Sequence, residues 1–231
     1  MPEARPLLQL VDITVERKGT PLLASVALTV SPGERVVILG ANGAGKSTLL
    51  KVANGVIVPD AGRVVAPPRH AQAHIFQRPA LLARNAIETV QFVLAAHGVA
   101  AHDCTARAER ALQACDLATR RDHRVRTLSG GEQQRLALAC AWAVEPALLF
   151  ADEPTANLAP ASARTVERLL LQLHDNGATL VMTTHNVAQA RRMATRIVFV
   201  DAGCIVEDCP AGMFFHGPEA PAARAYLEGE T

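Results

Sequence analysis

The run Gly40-Ala41-Asn42-Gly43-Ala44-Gly45-Lys46-Ser47 has the residue types and spacing of a loop that holds phosphate. Glycines at 40, 43 and 45 permit positive φ and let successive backbone N–H groups approach an anion, and a helix opening at Lys46 adds its dipole. Lys46 is then placed for the β- and γ-phosphates and Ser47 for a hydroxyl ligand to Mg²⁺, with Asn42 and Thr48 among the nucleotide-binding residues. Downstream, Leu148-Leu149-Phe150-Ala151-Asp152-Glu153 is an apolar strand that ends in two carboxylates. There Asp152 would hold Mg²⁺ through its water shell, and Glu153 would polarise a water attacking the γ-phosphate. An acidic pair at a strand end is, alone, more often a charge at a helix N-terminus. A phosphate loop in the same chain makes the catalytic arrangement the better reading.

A third stretch, Leu128-Ser129-Gly130-Gly131-Glu132-Gln133-Gln134-Arg135, is locally a capping box. Ser129 stands at the N-cap and Glu132 three residues on, ahead of a helix with Leu136, Ala139, Cys140 and Ala143 on one face. Helix initiation alone would explain it. The two glycines also leave bare N–H groups at a positive helix end, a second anion site in a chain that already has one, and its natural use is a phosphate held by another copy.

These residues need strands and helices to hold them. Alternation at Leu8, Leu10, Ile13 and Val15, and again at Val26, Leu28 and Val30, predicts a hairpin-like pair of half-buried strands. Val36 to Leu39 is a short apolar run of the kind covered on both faces, leading into the loop and a helix from about Lys46 to Asn54. From Arg78 to about Arg126 the pattern is helical and alanine-rich. Beyond it, strand-like runs at Ala147 to Ala151, Thr179 to Thr183 and Ile197 to Val200 alternate with helices at about Glu132 to Val144 and Ala161 to Asn176. The fold class expected is α/β: a mostly parallel sheet core, an N-terminal antiparallel part and a helical subdomain at about 78–126. The 231 residues read as one domain, with a short extension at about 204–231 that carries a helix from Glu219 to Leu227.

Lys and Arg total 23 against 22 Asp and Glu, so there is no summed field to hold nucleic acid or an anionic lipid surface. Five cysteines, never in a two-residue-gap pair, read as reduced cytosolic thiols. No secretory signal opens the chain, and no run approaches the ~20 apolar residues of a membrane span.

With these motifs in this order, the chain resembles the nucleotide-binding subunits of ATP-binding cassette transporters, whose signature the segment at 128–135 matches. The likeness runs from about Leu8 to Gly203. It implies a P-loop ATPase that uses ATP and Mg²⁺ and forms a head-to-tail homodimer with each ATP between the phosphate loop of one copy and Ser129, Gly130, Gly131 and Glu132 of the other. It further implies that Gln77 contacts Mg²⁺ and the attacking water, and that His185 senses the γ-phosphate. By the same resemblance Arg78 to Asn85 would meet integral membrane permease subunits, at the cytoplasmic face of the inner membrane. A periplasmic or lipid-anchored substrate-binding protein would lie beyond them. Two positions depart from the family. Arg17 stands where an aromatic usually stacks on adenine, and an arginine plane could take that part. Ala159 stands where an aspartate usually links the two sites. The stretches from Phe76 to Leu82 and from Met182 to Arg192 look most like tungstate and related oxyanion importers. An ATP-dependent dimerisation switch with little turnover, and the motor of an exporter, remain the alternatives.

Overall fold

The computed structural model describes residues 5–79 and 83–229. In chain order these form strands β1 (Leu8–Arg17), β2 (Thr20–Val30) and β3 (Arg35–Leu39), helix α1 (Lys46–Ala53), then strands β4 (Ala61–Val65) and β5 (Gln72–Ile75). Helices α2 (Ala86–Ala96), α3 (Ala101–Ala114) and α4 (Gly130–Val144) follow, then strand β6 (Leu148–Asp152), helix α5 (Pro160–Asp175) and strand β7 (Thr179–Thr183). The chain continues through α6 (Val187–Met193), β8 (Arg196–Asp201), β9 (Cys204–Pro210), α7 (Ala211–His216) and α8 (Pro221–Gly229). Two compact units result: Met1–Pro67 with Phe150–Glu153 and Thr179–Thr231, and Pro68–Leu149 with Pro154–Ala178.

In the first unit, β1 is paired antiparallel with both β2 and β4. Leu8, Leu10, Ile13 and Val15 are all buried, although the step from Leu10 to Ile13 breaks the period of two. A register irregularity between Leu10 and Ile13, with Asp12 at φ 51°, absorbs the extra residue and returns Ile13 to the apolar face. Opposite, Gly62 of β4 lies so close that a Cβ would meet the Val11 carbonyl oxygen at 2.4 Å.

The parallel part of this unit is centred on β3, with β7 on one side and β8 on the other. Val36, Val37, Ile38 and Leu39 are fully buried, as a continuous apolar run predicts for a strand covered on both faces. Strand β9 then pairs antiparallel with β8. Arg196 ties the two together, with Nε and Nη2 each 2.6 Å from a carboxylate oxygen of Asp208. The extension expected after Gly203 thus begins with a strand of the sheet.

In the second unit, α2, α3, α4 and α5 account for most of the residues, and β5 lies beside the first residues of β6. Asn85 caps α2 through a complete capping box, and Pro160 opens α5 at a position where a missing N–H costs nothing. All five cysteines are free thiols. Among the described residues, no helix is long and apolar enough to cross a membrane, and no group of His, Cys, Asp and Glu could hold a metal ion by itself.

Candidate nucleotide site

The loop between β3 and α1 is built from conformations that only glycine adopts freely. Gly40, Gly43 and Gly45 have φ of 151°, 84° and 108°. At Gly40 a Cβ would strike the Val200 carbonyl oxygen at 2.2 Å, and at Gly45 the Leu22 carbonyl oxygen at 2.9 Å, so both are needed for packing. At Gly43 nothing lies within 4 Å, which leaves that side of the loop open to a ligand. Helix α1 starts at Lys46 with Gly45 at its N-cap and no side-chain cap, so its first N–H groups stay available to an anion.

Lys46 is buried, and its ammonium donates to the carbonyls of Gly40 (2.8 Å) and Ala41 (2.9 Å). Burial lowers its pKa, while the Glu153 and Asp152 carboxylates oppose that shift and favour the charged form. The Ser47 hydroxyl donates to Asp152 Oδ1 at 2.8 Å, and the Thr183 hydroxyl donates to the same oxygen at 2.7 Å. Asp152 is thereby fixed at the end of β6. Serine hydroxyl and aspartate carboxylate are oxygen donors of the kind a hard cation such as Mg²⁺ takes, so the donor set fits the metal that the sequence implies.

Glu153 follows at φ 41°, a backbone conformation uncommon outside glycine and concentrated at functional sites. Its N–H lies 3.2 Å from the Thr183 carbonyl and 3.0 Å from the Thr183 hydroxyl, which hold the reversal in place. The carboxylate is 14% exposed, and its Oε1 lies 3.2 Å from His185 Nδ1. The structure therefore brings Gly40, Lys46, Ser47, Asp152, Glu153 and His185 together within the first unit. Thr183 belongs with them and went unread in the sequence, where it is the last residue of an ordinary strand.

Arg17 stands at the end of β1, where its guanidinium donates to the Glu16 carbonyl and lies 3.8 Å from Asp60. Gln77 lies in the second unit, exposed, two residues after β5. Buried Gln134 donates to the Phe76 carbonyl at 3.3 Å and so steadies the backbone next to Gln77, a role not foreseen from sequence. The capping box at α4 is complete: the Ser129 hydroxyl accepts from Glu132 N–H, and Glu132 Oε2 accepts from Ser129 N–H at 2.8 Å. Arg120 Nε donates to the other carboxylate oxygen of Glu132 at 2.8 Å. The bonds from Ser129, then that from Arg120, hold the Glu132 carboxyl down at about 2. A Cβ on Gly131 would meet the Ser162 hydroxyl at 2.8 Å, so α4 packs closely on α5 there. Ala159 heads α5 without a side-chain cap. Ala80, Leu81 and Leu82, within the stretch assigned to the permease, lie outside the described residues.

A β-strand, a glycine-rich loop on a helix start, and a carboxylate pair at the end of a second strand define a phosphate-loop nucleotide-binding protein. Residues 23–156 match the ABC transporter family, and the chain belongs to it and carries its ATPase cassette. The methionine import ATP-binding protein of Rhizobium etli is 33% identical over 98% of this chain, which spans about two thirds (67%) of that relative's length. The L-cystine transport system ATP-binding protein of Escherichia coli is 33% identical over 91% of this chain and 92% of its own. Among solved structures, cbiO1 of Clostridium perfringens, part of the ABC transporter complex cbiONQ, superposes with a TM-score of 0.82 at 25% identity, over 92% of this chain and 91% of that one. The dimeric cassette MJ0796 bound to ADP and Pi gives 0.81 at 28% identity, over 88% and 98%.

Proposed function

We propose that this chain is the ATP-hydrolysing motor of an importer for a small solute. The observation that carries the reading is the convergence of Lys46, Ser47, Asp152, Glu153 and His185. An ammonium, two oxygen donors, a carboxylate on a strained backbone and an imidazole are the groups that phosphoryl transfer to water needs. On this reading Lys46 and the loop N–H groups hold the phosphates. Ser47 and Asp152 would hold Mg²⁺, which when bound would neutralise charge developing on the phosphate oxygens. Glu153 orients and polarises the water, and His185 faces the terminal phosphate. Ser129, Gly130, Gly131 and Glu132 of a second copy cover that phosphate in a head-to-tail dimer, a reading supported by the dimeric form of MJ0796.

The motor would sit at the cytoplasmic face of the membrane through permease subunits that meet Arg78 to Asn85. In that stretch the Arg84 guanidinium lies over the Phe92 ring at 4.4 Å. For the solute, the names of the relatives favour an amino acid of the methionine or cystine kind. The oxyanion expected from the loop sequences has no support among them. Uptake of labelled methionine, cystine and tungstate by cells that carry the assembled transporter would decide among the three.

The cassette itself is tested by phosphate release from the purified protein with Mg²⁺ and ATP, and by the variant Glu153→Gln. The variant should lose roughly a hundredfold or more in turnover, as when a transition-state group is removed, and should form a dimer only when ATP is added. Absence of phosphate release by the wild type would reduce the chain to a nucleotide-dependent switch. A Glu153→Gln protein that stays monomeric at saturating ATP would refute the head-to-tail dimer.

A further inference from the structure

One bond in the first unit has no part in the roles above. Tyr226 of α8 donates its hydroxyl to the backbone carbonyl of His185 at 2.5 Å, across 41 residues. The same peptide unit is held at its other end, where Asn186 N–H donates to the Thr184 hydroxyl at 3.0 Å. With carbonyl and N–H both engaged, the plane of the His185–Asn186 peptide is fixed, and with it ψ of His185 and the direction in which its side chain leaves the backbone. The His185 side chain is 50% exposed, and its charged neighbour is Glu153 Oε1 at 3.2 Å.

The donor is firmly placed. The Glu207 carboxylate accepts the N–H groups of Glu219 (3.0 Å) and Ala220 (2.9 Å), which anchors the approach to α8 on β9. Ala223 is fully buried, and the Tyr226 ring packs at a tilt on Phe199 of β8 with centroids 5.3 Å apart. The phenol thus spans from the sheet to the turn between β7 and α6.

We propose that Tyr226 is a positioning residue for His185, setting the imidazole against Glu153 for the hydrolytic step. The proposal rests on the ATPase reading above. Because a small displacement of a catalytic group costs rate more than affinity, loss of the hydroxyl should appear in kcat.

Tyr226→Phe removes the hydroxyl and leaves the ring on Phe199. In the full chain it should lower kcat roughly three- to tenfold, the span expected for one hydrogen bond, with KM for ATP and melting temperature unchanged. In nucleotide-free protein the His185 ring NMR signal, assigned by its disappearance in His185→Ala, should shift or broaden in Tyr226→Phe while the other histidine signals stay in place. Adding Tyr226→Phe to His185→Ala should cost nothing further. Wild-type kcat with an unmoved His185 signal overturns the proposal. So does a loss that follows KM or melting temperature, or losses that multiply in the double variant. A wild type that releases no phosphate refutes the ATPase reading instead, and the His185 signal then decides whether Tyr226 orients the ring.

Discussion

Replacing Gly40 by alanine places a methyl carbon 2.2 Å from the Val200 carbonyl oxygen, at a φ of 151°. Ordinary contact begins near 3.4 Å, so the loop and β8 must part by roughly 1 Å. Overpacking of this kind costs about 1–3 kcal/mol. Holding a side chain at such a φ adds about 1–3 kcal/mol, and the stiffer unfolded chain returns about 0.4–1 kcal/mol. The net loss is about 3 kcal/mol, and with an m-value of about 2–3 kcal/mol/M the urea midpoint falls by about 1 M. Gly43→Ala carries only the φ term, because nothing lies within 4 Å of the added carbon. Its midpoint should move by only about 0.5 M. The methyl instead fills the open side of the loop, and ATP affinity should weaken roughly tenfold or more. Circular dichroism in urea and titration with a fluorescent nucleotide measure the two effects separately. A Gly40→Ala protein as stable as wild type, or a Gly43→Ala protein that loses as much stability as Gly40→Ala and keeps its nucleotide affinity, would refute the reasoning.

Asp152→Asn keeps an oxygen for the Ser47 and Thr183 hydroxyls, so the fold should hold while the Mg²⁺ needed for half-maximal hydrolysis rises by roughly an order of magnitude. Metal dependence identical to wild type would remove Asp152 from the metal site. Glu132 titrates at about 2 in the folded chain against an ordinary 4.5. A depressed carboxyl stabilises the fold above its unfolded pKa and loses that contribution as pH falls through its folded value. The stability gap between wild type and Glu132→Gln should therefore be constant above about pH 4.5 and close towards pH 2, as followed by urea denaturation across that range. A gap that ignores pH there would show that the Ser129 and Arg120 bonds do not hold the charge.

Local chemistry wrote the phosphate loop, the carboxylate pair and the α4 capping box into the sequence, because each is a short run whose residue types serve one backbone geometry. The buried strands β3 and β7 were legible for a related reason: short continuous apolar runs, Val36 to Leu39 and Leu180 to Met182, leave few alternatives. Strand β9 was not. Its residues are half-buried or exposed, with Glu207 and Asp208 inside it, and only pairing with β8 makes it a strand. Helix α6 is seven residues long, too short for a period to show. Thr183, and the packing of Gly131 on Ser162, stayed hidden because each pair, Thr183 with Asp152 and Gly131 with Ser162, is 31 residues apart and no local pattern reports such contacts. Gln134 resembles any helix glutamine until the fold brings the Phe76 carbonyl within reach of its amide.

The carboxylate of Glu132 already sits on the Ser129 amide and hydroxyl at the head of α4. A lone molecule therefore keeps this end of the helix neutralised by an internal anion, and stray phosphate from solution meets a competitor tethered in place.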